Sequence, residues 1–306
     1  MIDVSPKFST LRYAKAEGYL YGSPETMARV AAKEIPKGDV LEVARAAGIL
    51  AAKRCSDLIV FCHPIPLDWV EVNFEVREDC LRVEAEVRSI WKTGVEVEAI
   101  TAVSLALLNA YDMLKPLDTK LSLGGITVVK KKGGKTNFVT KVSAPLRTAV
   151  LVISDSTFAG TRQDKSGLII KEMLAEQPVE VVTYEVLPDE REPIAGRLVE
   201  LADQENMQLV LTTGGTGLGP RDVTPEATLG VLDRSVPGIV EALRKFGQDR
   251  TPFAMLSRGE AGVRGECVII NLPGSSKGAQ ESMQALFPGL LHIFPMIQGL
   301  EHLKNH

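Results

Sequence analysis

The stretch KKKGGKTNFVTKVSAPLRTAVLVIS, residues 130–154, changes character halfway along. It begins in lysine and glycine, carries Pro145 near its middle, and ends in the unbroken apolar run AVLVI. A strand with one wet face alternates; an unbroken run marks a strand buried on both faces, as in a parallel sheet covered by helices. A domain boundary is therefore expected here, with residues 1–143 forming one domain, 144–147 a linker and 148–306 the other. The length of 306 residues agrees, since a single core rarely grows beyond about 250–300 residues.

Working back from the boundary, VEVNFEVR (70–77) and LRVEAEVRSI (81–90) alternate apolar and charged residues around Glu78-Asp79-Cys80. They predict an antiparallel hairpin with Val72, Phe74, Val83 and Ala85 on the inner face. Asp39 is placed to cap a helix running through VLEVARAAGILAAKRCSDLI, and a second helix spans about Val95 to Leu114, ahead of Pro116. This is an α+β pattern, with helices on one face of an antiparallel sheet. Working forward, strands are expected at 149–153, 179–186, 208–212 and 267–272. Helices are expected at 166–176, 191–204, 225–233, 237–246 and 276–286. That alternation predicts an α/β three-layer domain with a mostly parallel sheet.

The composition, 45% hydrophobic and 24% charged, is that of a globular protein. Apolar runs stay well short of the roughly 20 residues that span a bilayer, and MIDVSPKFST has no apolar signal core, so a cytoplasmic protein without membrane partners is expected. A net charge of −4 argues against a nucleic-acid partner. Cys55, Cys62, Cys80 and Cys267 show no CxxC pair. A structural zinc site needs four ligands in recognisable pairs, so reduced, mostly buried thiols and no structural metal are expected.

In the second half, LTTGGTGLGPRDVTPEAT (211–228) follows an apolar run and sets four glycines within six positions. It is neither common phosphate fingerprint: Pro220 stands where a P-loop has its lysine and where the dinucleotide motif has its third glycine. INLPGSSKG (270–278) is a second glycine-rich strand-to-helix turn. In a parallel sheet ligands bind beyond the carboxyl ends of the strands, and amides at helix N-termini suit anions. Asp189, in LPDE (187–190), and Asp222 lie on strand-end loops between those donors. Carboxylates there either cap turns or hold Mg²⁺ beside a phosphate.

VISDS (152–156), LPDE, TTGGTG, PRDVTPEAT, LSR (256–258) and INLPGSSKG together resemble the molybdopterin adenylyltransferase family, which includes the G domain of gephyrin, over about 148–300. The resemblance implies transfer of AMP from ATP to the terminal phosphate of molybdopterin, with Mg²⁺ as metal. It implies catalytic, metal-associated carboxylates at Asp189 and Asp222. Gly214, Gly215, Thr216 and Gly217 would contact one ligand, Gly274 and Ser275 the other, with Asp155 and Ser257 as further contacts. Some members of the family have only an assembly role, so a molybdopterin-binding scaffold is the alternative for this half.

In the first half, polar groups interrupt apolar surroundings at Lys37-Gly38-Asp39, Cys62-His63-Pro64, KTGVEVE (92–98) and YDMLK (111–115). Asp112 and Lys115 share a helix face, either as a surface ion pair or as a partly buried acid–base pair. His63 reads equally as a core or a catalytic histidine. Lys130, Lys131, Lys132 and Lys135 form either a solvated strand end or a site for a polyanionic small molecule. MIDVS, KGDV, AGILAAKR, CHPI, KTGVEVEA, YDM and KKGGKTN resemble the cyclic pyranopterin monophosphate synthase family over residues 1 to about 143.

That resemblance implies a ferredoxin-like α+β domain that converts cyclised dihydro-GTP to cyclic pyranopterin monophosphate with release of pyrophosphate. It implies catalysis by Asp112 and Lys115, and substrate contacts at Arg12, Lys37, Cys62, His63, Val97 and Glu98, with Glu96 and Lys131 close by. Glu98 and Asp112 lie on one expected helix, about 21 Å apart along its axis at 1.5 Å per residue. A site shared between copies of the chain is therefore expected, and the resemblance to the two families implies a trimer or hexamer.

Overall fold

A computed structural model describes residues 1–299, apart from the side chains of Lys135 and Thr136. The chain divides into two compact units, Met1–Asn137 and Phe138–His306. The first strand of the second unit opens at Leu146, inside the expected 144–147 linker, because Leu146 is already buried and its N–H donates to the Pro178 carbonyl.

The first unit runs β1 (Thr10–Tyr21), α1 (Pro24–Ala31), α2 (Val40–Lys53), α3 (Cys55–Leu58), β2 (Trp69–Val76), β3 (Cys80–Trp91), α4 (Glu96–Leu114) and β4 (Ser122–Lys132). Its sheet is antiparallel throughout, in the order β2-β3-β1-β4. The expected hairpin is β2–β3, with Val76 opposite Leu81 and Val70 opposite Val87. Asp39 caps α2, its Oδ1 accepting from the N–H groups of Leu41 and Glu42. The helix ends at Arg54 (φ −107°, ψ 13°), so the expected single helix through Leu58 is two.

The central strand β1 escapes the alternation test because its inner face is small: Ala14, Ala16, Gly18 and Leu20. Smallness is required there. A Cβ on Gly18 would stand 2.9 Å from Val103 and Leu107 of α4, so the helix lies directly on the strand. Across that contact α4 buries Ala99, Ala102, Val103, Ala106, Leu107 and Ala110 completely. By length and composition α4 could cross a membrane, but it is the core helix of this unit. The opposite face of the sheet is charged, with Arg82 bridging Glu17 and Glu84 at 2.7 Å each.

The second unit runs β5 (Leu146–Ile153), α5 (Asp155–Phe158), α6 (Ser166–Leu174), β6 (Val179–Leu187), α7 (Arg191–Asp203), β7 (Leu209–Thr213) and α8 (Thr224–Leu229). It continues with β8 (Arg234–Ser235), α9 (Pro237–Gln248), β9 (Ala261–Arg264), β10 (Cys267–Leu272), α10 (Ser276–Leu286) and α11 (Ile293–Ile297). Sheet order is β6-β5-β7-β10-β9-β8. The first four strands are parallel, and the short edge strands β9 and β8 are antiparallel. Two apolar cores cover the two faces, one built on Ile170, Leu243 and Met283, the other on Ile194, Leu198 and Ala227. After β5 the chain pairs β6 on one side and returns with β7 on the other. That reversal opens a crevice at the carboxyl ends of the parallel strands.

Candidate functional site

The crevice of the second unit is closed in by backbone. Gly214 has φ +108°, and a Cβ there would lie 2.1 Å from the Ile153 carbonyl of β5, so only glycine fits. A Cβ on Gly274 would come within 3.0 Å of Gly214 Cα. The two glycine loops therefore touch, joined by hydrogen bonds from Gly214 N to Leu272 O (3.2 Å) and Thr213 Oγ1 to Pro273 O (2.8 Å). They line one cavity of about 340 Å³ together, with Asp189, Asp222 and Ser275 in its wall. The resemblance gave each loop a separate ligand, and the backbone contact is what brings them to one cavity. Ser275 also borders a second cavity of about 330 Å³, lined by Ser257, Gly259 and Asn271. Thr216 and Gly217 are outside both linings.

Those two residues have another part. Arg258 donates to Gly217 O and Asp222 O, both at 2.6 Å, and pairs with Glu226, while its own N–H donates to Thr216 O at 3.0 Å. One guanidinium thus ties the glycine loop to the start of α8. Beneath it, buried Asn271 donates to the hydroxyls of Thr212 and Thr228, each at 2.9 Å.

Asp155 and Asp189 are reciprocally bonded: Asp155 N–H donates to Asp189 Oδ2 at 2.9 Å and Asp189 N–H to Asp155 Oδ1 at 3.0 Å. Arg221 grips Asp155 through two contacts of 2.9 and 3.0 Å and holds its carboxyl below the usual range. Asp189 moves the other way. Burial raises its pKa, reinforced by the charges of Asp155 and Asp222. Asp222 Oδ2 accepts from Gly219 N–H at 2.7 Å. Carboxylates converging beside an amide-lined cavity fit a divalent cation with oxygen ligands, which would relieve that repulsion.

The first unit gathers its expected residues into two clusters, one at each end of the continuous helix α4. At the C-terminal end, Asp112 is held by Lys115 (2.8 Å) and Lys37 (3.0 Å), and Lys37 also donates to the Asp112 carbonyl at 2.8 Å. The side chains of Asp112 and Lys115 are 57% and 54% exposed, so the pair is the surface ion pair and not the partly buried one: it lies on the outward face of the last turn of α4, while Met113 and Leu114 turn into the core. Its two lysines, Lys115 first, lower the Asp112 pKa, and Asp112 raises that of Lys115.

At the N-terminal end, Cys62 donates to Glu98 Oε1 at 3.2 Å, Glu96 faces Lys131 at 3.6 Å, and Val97 is exposed. Arg12 donates to the carbonyls of Trp91 and Lys92 at 3.1 Å each. His63 is not a core residue; its Nε2 lies 2.9 Å from Ile2 O beside a cavity of about 490 Å³. Cys55 Sγ lies 3.8 Å from Cys62 Sγ. Sequence reasoning missed Cys55 here, and missed Arg221 and Arg258 in the second unit. The motifs RCSD, PRD and LSR contain them, but the arginines' partners lie 66 and 41 residues away, and Cys55 meets Cys62, seven residues on, only through the turn that follows α3.

The model of the MoaC family matches residues 1–134, and that described as a probable molybdopterin binding domain matches residues 149–292. A molybdenum cofactor biosynthesis bifunctional protein of Chlorobaculum tepidum is 42% identical over 302 residues, 99% of this chain and 96% of that one. A cyclic pyranopterin monophosphate synthase of Roseiflexus sp. (strain RS-1) is 50% identical over 138 residues, 44% of this chain and 87% of that one. The crystal structure of the molybdopterin biosynthesis enzyme MoaB from Thermus thermophilus is 52% identical, covering 50% of this chain and 97% of that one with a TM-score of 0.49. The order of units and the full-length match lead to one conclusion: this chain belongs to the family of bifunctional molybdenum cofactor biosynthesis proteins.

Proposed function

We propose that the first unit converts cyclised dihydro-GTP to cyclic pyranopterin monophosphate with release of pyrophosphate, and that the second adenylylates molybdopterin with Mg-ATP. The antiparallel 2-3-1-4 sheet with its two crossing helical segments supports a ferredoxin-like reading of the first unit. Both reactions belong in the cytoplasm, where their nucleotide substrates are.

One observation carries each half. In the first unit it is the carboxylate of Asp112 between two ammonium groups. The ion pair keeps Asp112 as a carboxylate and Lys115 as an ammonium, so one acceptor and one donor stand 2.8 Å apart; the mutual pairing that lowers one pKa and raises the other is lost when substrate separates them. Lys37, Arg12 and Lys131 supply positive charge for the triphosphate, and Cys62, His63, Glu96, Val97 and Glu98 contact the rest of the substrate. Because these groups sit at opposite ends of α4, the working site forms between copies of the chain, in a trimer or hexamer.

In the second unit it is the meeting of both glycine loops on Asp189 and Asp222. Phosphoryl transfer asks for positioning and charge neutralisation, not a protein nucleophile. Gly214, whose own N–H is used on Leu272 O, brings the loops together, and the backbone amides of Gly215 and Gly274 with the Ser275 hydroxyl hold phosphate oxygens. Asp189 and Asp222 would hold Mg²⁺, which neutralises phosphate charge when bound. Asp155 positions Asp189, and Ser257 lies in the neighbouring cavity.

Incubation of the full chain with molybdopterin, ATP and Mg²⁺ is expected to yield adenylylated pterin, and Asp222→Ala to yield none. No product from the wild type would leave this unit a scaffold. With cyclised dihydro-GTP, the wild type is expected to release pyrophosphate and Lys115→Ala to release none.

A further inference from the structure

Cys55, Cys62 and Glu98 bring three ligand atoms within 4.8 Å of one another, from three different segments: the start of α3, the turn that follows it, and the first turn of α4. The separation of the two sulfurs, 3.8 Å, equals the edge of a tetrahedron whose metal–thiolate bonds are about 2.3 Å, which is ~3.8 Å. The sulfur of Cys62 stands 3.2 Å from Glu98 Oε1, close to the ~3.5 Å edge between a thiolate and a carboxylate on the same ion. The third edge, Cys55 Sγ to the Glu98 carboxylate, lies within 4.8 Å, so small side-chain shifts close the three atoms on one face of a tetrahedral site.

A second observation is independent of that spacing. Glu98 is 2% exposed, and its other oxygen, Oε2, is buried without a hydrogen-bond partner. An unpartnered buried carboxylate oxygen is costly. A cation supplies what is missing. Thr101 Oγ1 lies 3.4 Å from Cys55 Sγ, an outer partner of the kind that orients a metal-bound thiolate.

We propose that Cys55, Cys62 and Glu98 form a binding site for a thiophilic divalent cation of the zinc class, with three protein ligands and a fourth position open. Binding displaces the two thiol protons to solvent and leaves both sulfurs as thiolates. The site differs from the four-ligand structural zinc site that the cysteine spacing argued against, because its third ligand comes from 36 residues further along the chain. Cys62 and Glu98 are also substrate contacts in the reaction proposed for this unit, so a bound ion competes with substrate there; Cys55 is a ligand of the ion alone, and an assay in metal-free buffer reads the reaction apart from ion binding.

The test is a titration of the reduced full-length protein with Co²⁺. The expected result is one thiolate-bound ion per chain, with a thiolate-to-cobalt charge-transfer band in the near ultraviolet and intense visible bands of tetrahedral Co²⁺, both distinct from any ion on the carboxylates of the second unit. Cys55→Ala should lose the charge-transfer intensity from one sulfur and bind more weakly by more than the 10–100-fold that loss of an outer partner costs. Its circular dichroism and its pyrophosphate release in metal-free buffer should match the wild type. Cys55→Ser should behave as Cys55→Ala, so a packing defect in one variant does not decide the matter. Absence of the bands in the reduced wild type, or bands unchanged by Cys55→Ala and Cys55→Ser, overturns the proposal. So does a Cys55–Cys62 disulfide forming in air while the reduced protein binds no Co²⁺.

Discussion

The two units solve anion recognition by opposite means. The second uses backbone: two glycine turns meet at the carboxyl ends of adjacent parallel strands, and the cavity, its amides and both carboxylates are complete within one chain. The first uses side chains, divided between the two ends of one helix, with the lysine–aspartate–lysine cluster left exposed. Backbone amides are placed by the strands that carry them and need no partner. Under the proposed function, charges at the two ends of one helix converge on a small substrate when a second copy brings its opposite end. The difference is one of origin: the glycine turns make their cavity from backbone of adjacent strands, whereas the charged residues of the first unit lie in two separate clusters.

The sharpest way to break this comparison is to remove one chemical group from each unit and read both activities. Lys115→Ala is expected to lower cyclic pterin formation by roughly 10²–10⁴-fold, the usual worth of a positioned acid or base, and to leave adenylylation untouched. Asp222→Ala should do the reverse. A smaller effect tests whether the glycine loop needs its internal tie. Arg258→Ala frees the carbonyls of Gly217 and Asp222, and is expected to reduce adenylylation by about 100-fold, as a misplacement near 1 Å does, with the fold retained.

Smaller still is a stability effect. The folded-state pKa of Asp189 is raised by burial, so the folded unit holds a proton that the unfolded chain releases as pH rises above 3.8. The resulting destabilisation is absent below that pH and fully present above the folded pKa. Asp189→Asn should therefore raise Tm at pH 7, by no more than a few degrees since a gain of about 1 kcal/mol moves a unit of this size by roughly 2–4 °C, and the gain should fade in acid. Thermal scans across pH check it. The smallest effect is at the rim of the first unit: Lys131→Ala should raise KM for the cyclised substrate by roughly 2–5-fold, the range of an exposed ion pair.

The same contrast governs what could be read in the sequence. The β2–β3 hairpin, α4 and the parallel strands β5, β6, β7 and β10 carry strong periodicity or unbroken apolar runs, and all were legible. Strand β1 was not, because Ala14, Ala16 and Gly18 are small where α4 presses on it. The two-residue β8 and four-residue β9 are too short to show a period. Glycine loops announced the second cavity, but their contact through Gly214 and Gly274 depends on strand order, which no local pattern records. Arg258 and Cys55 were unreadable as site residues for the same reason: their partners come from other elements.

The central claim, that the first unit's site is built between copies while the second's lies within one chain, is tested most directly by mixing inactive variants. His63→Ala and Lys115→Ala alter opposite ends of α4 and should each have little activity alone. Unfolded together and refolded as mixed oligomers, they are expected to regain a substantial fraction of wild-type cyclic pterin formation. The same treatment of Asp189→Ala with Asp222→Ala should restore no adenylylation. A His63→Ala and Lys115→Ala mixture no more active than its parents would contradict the account.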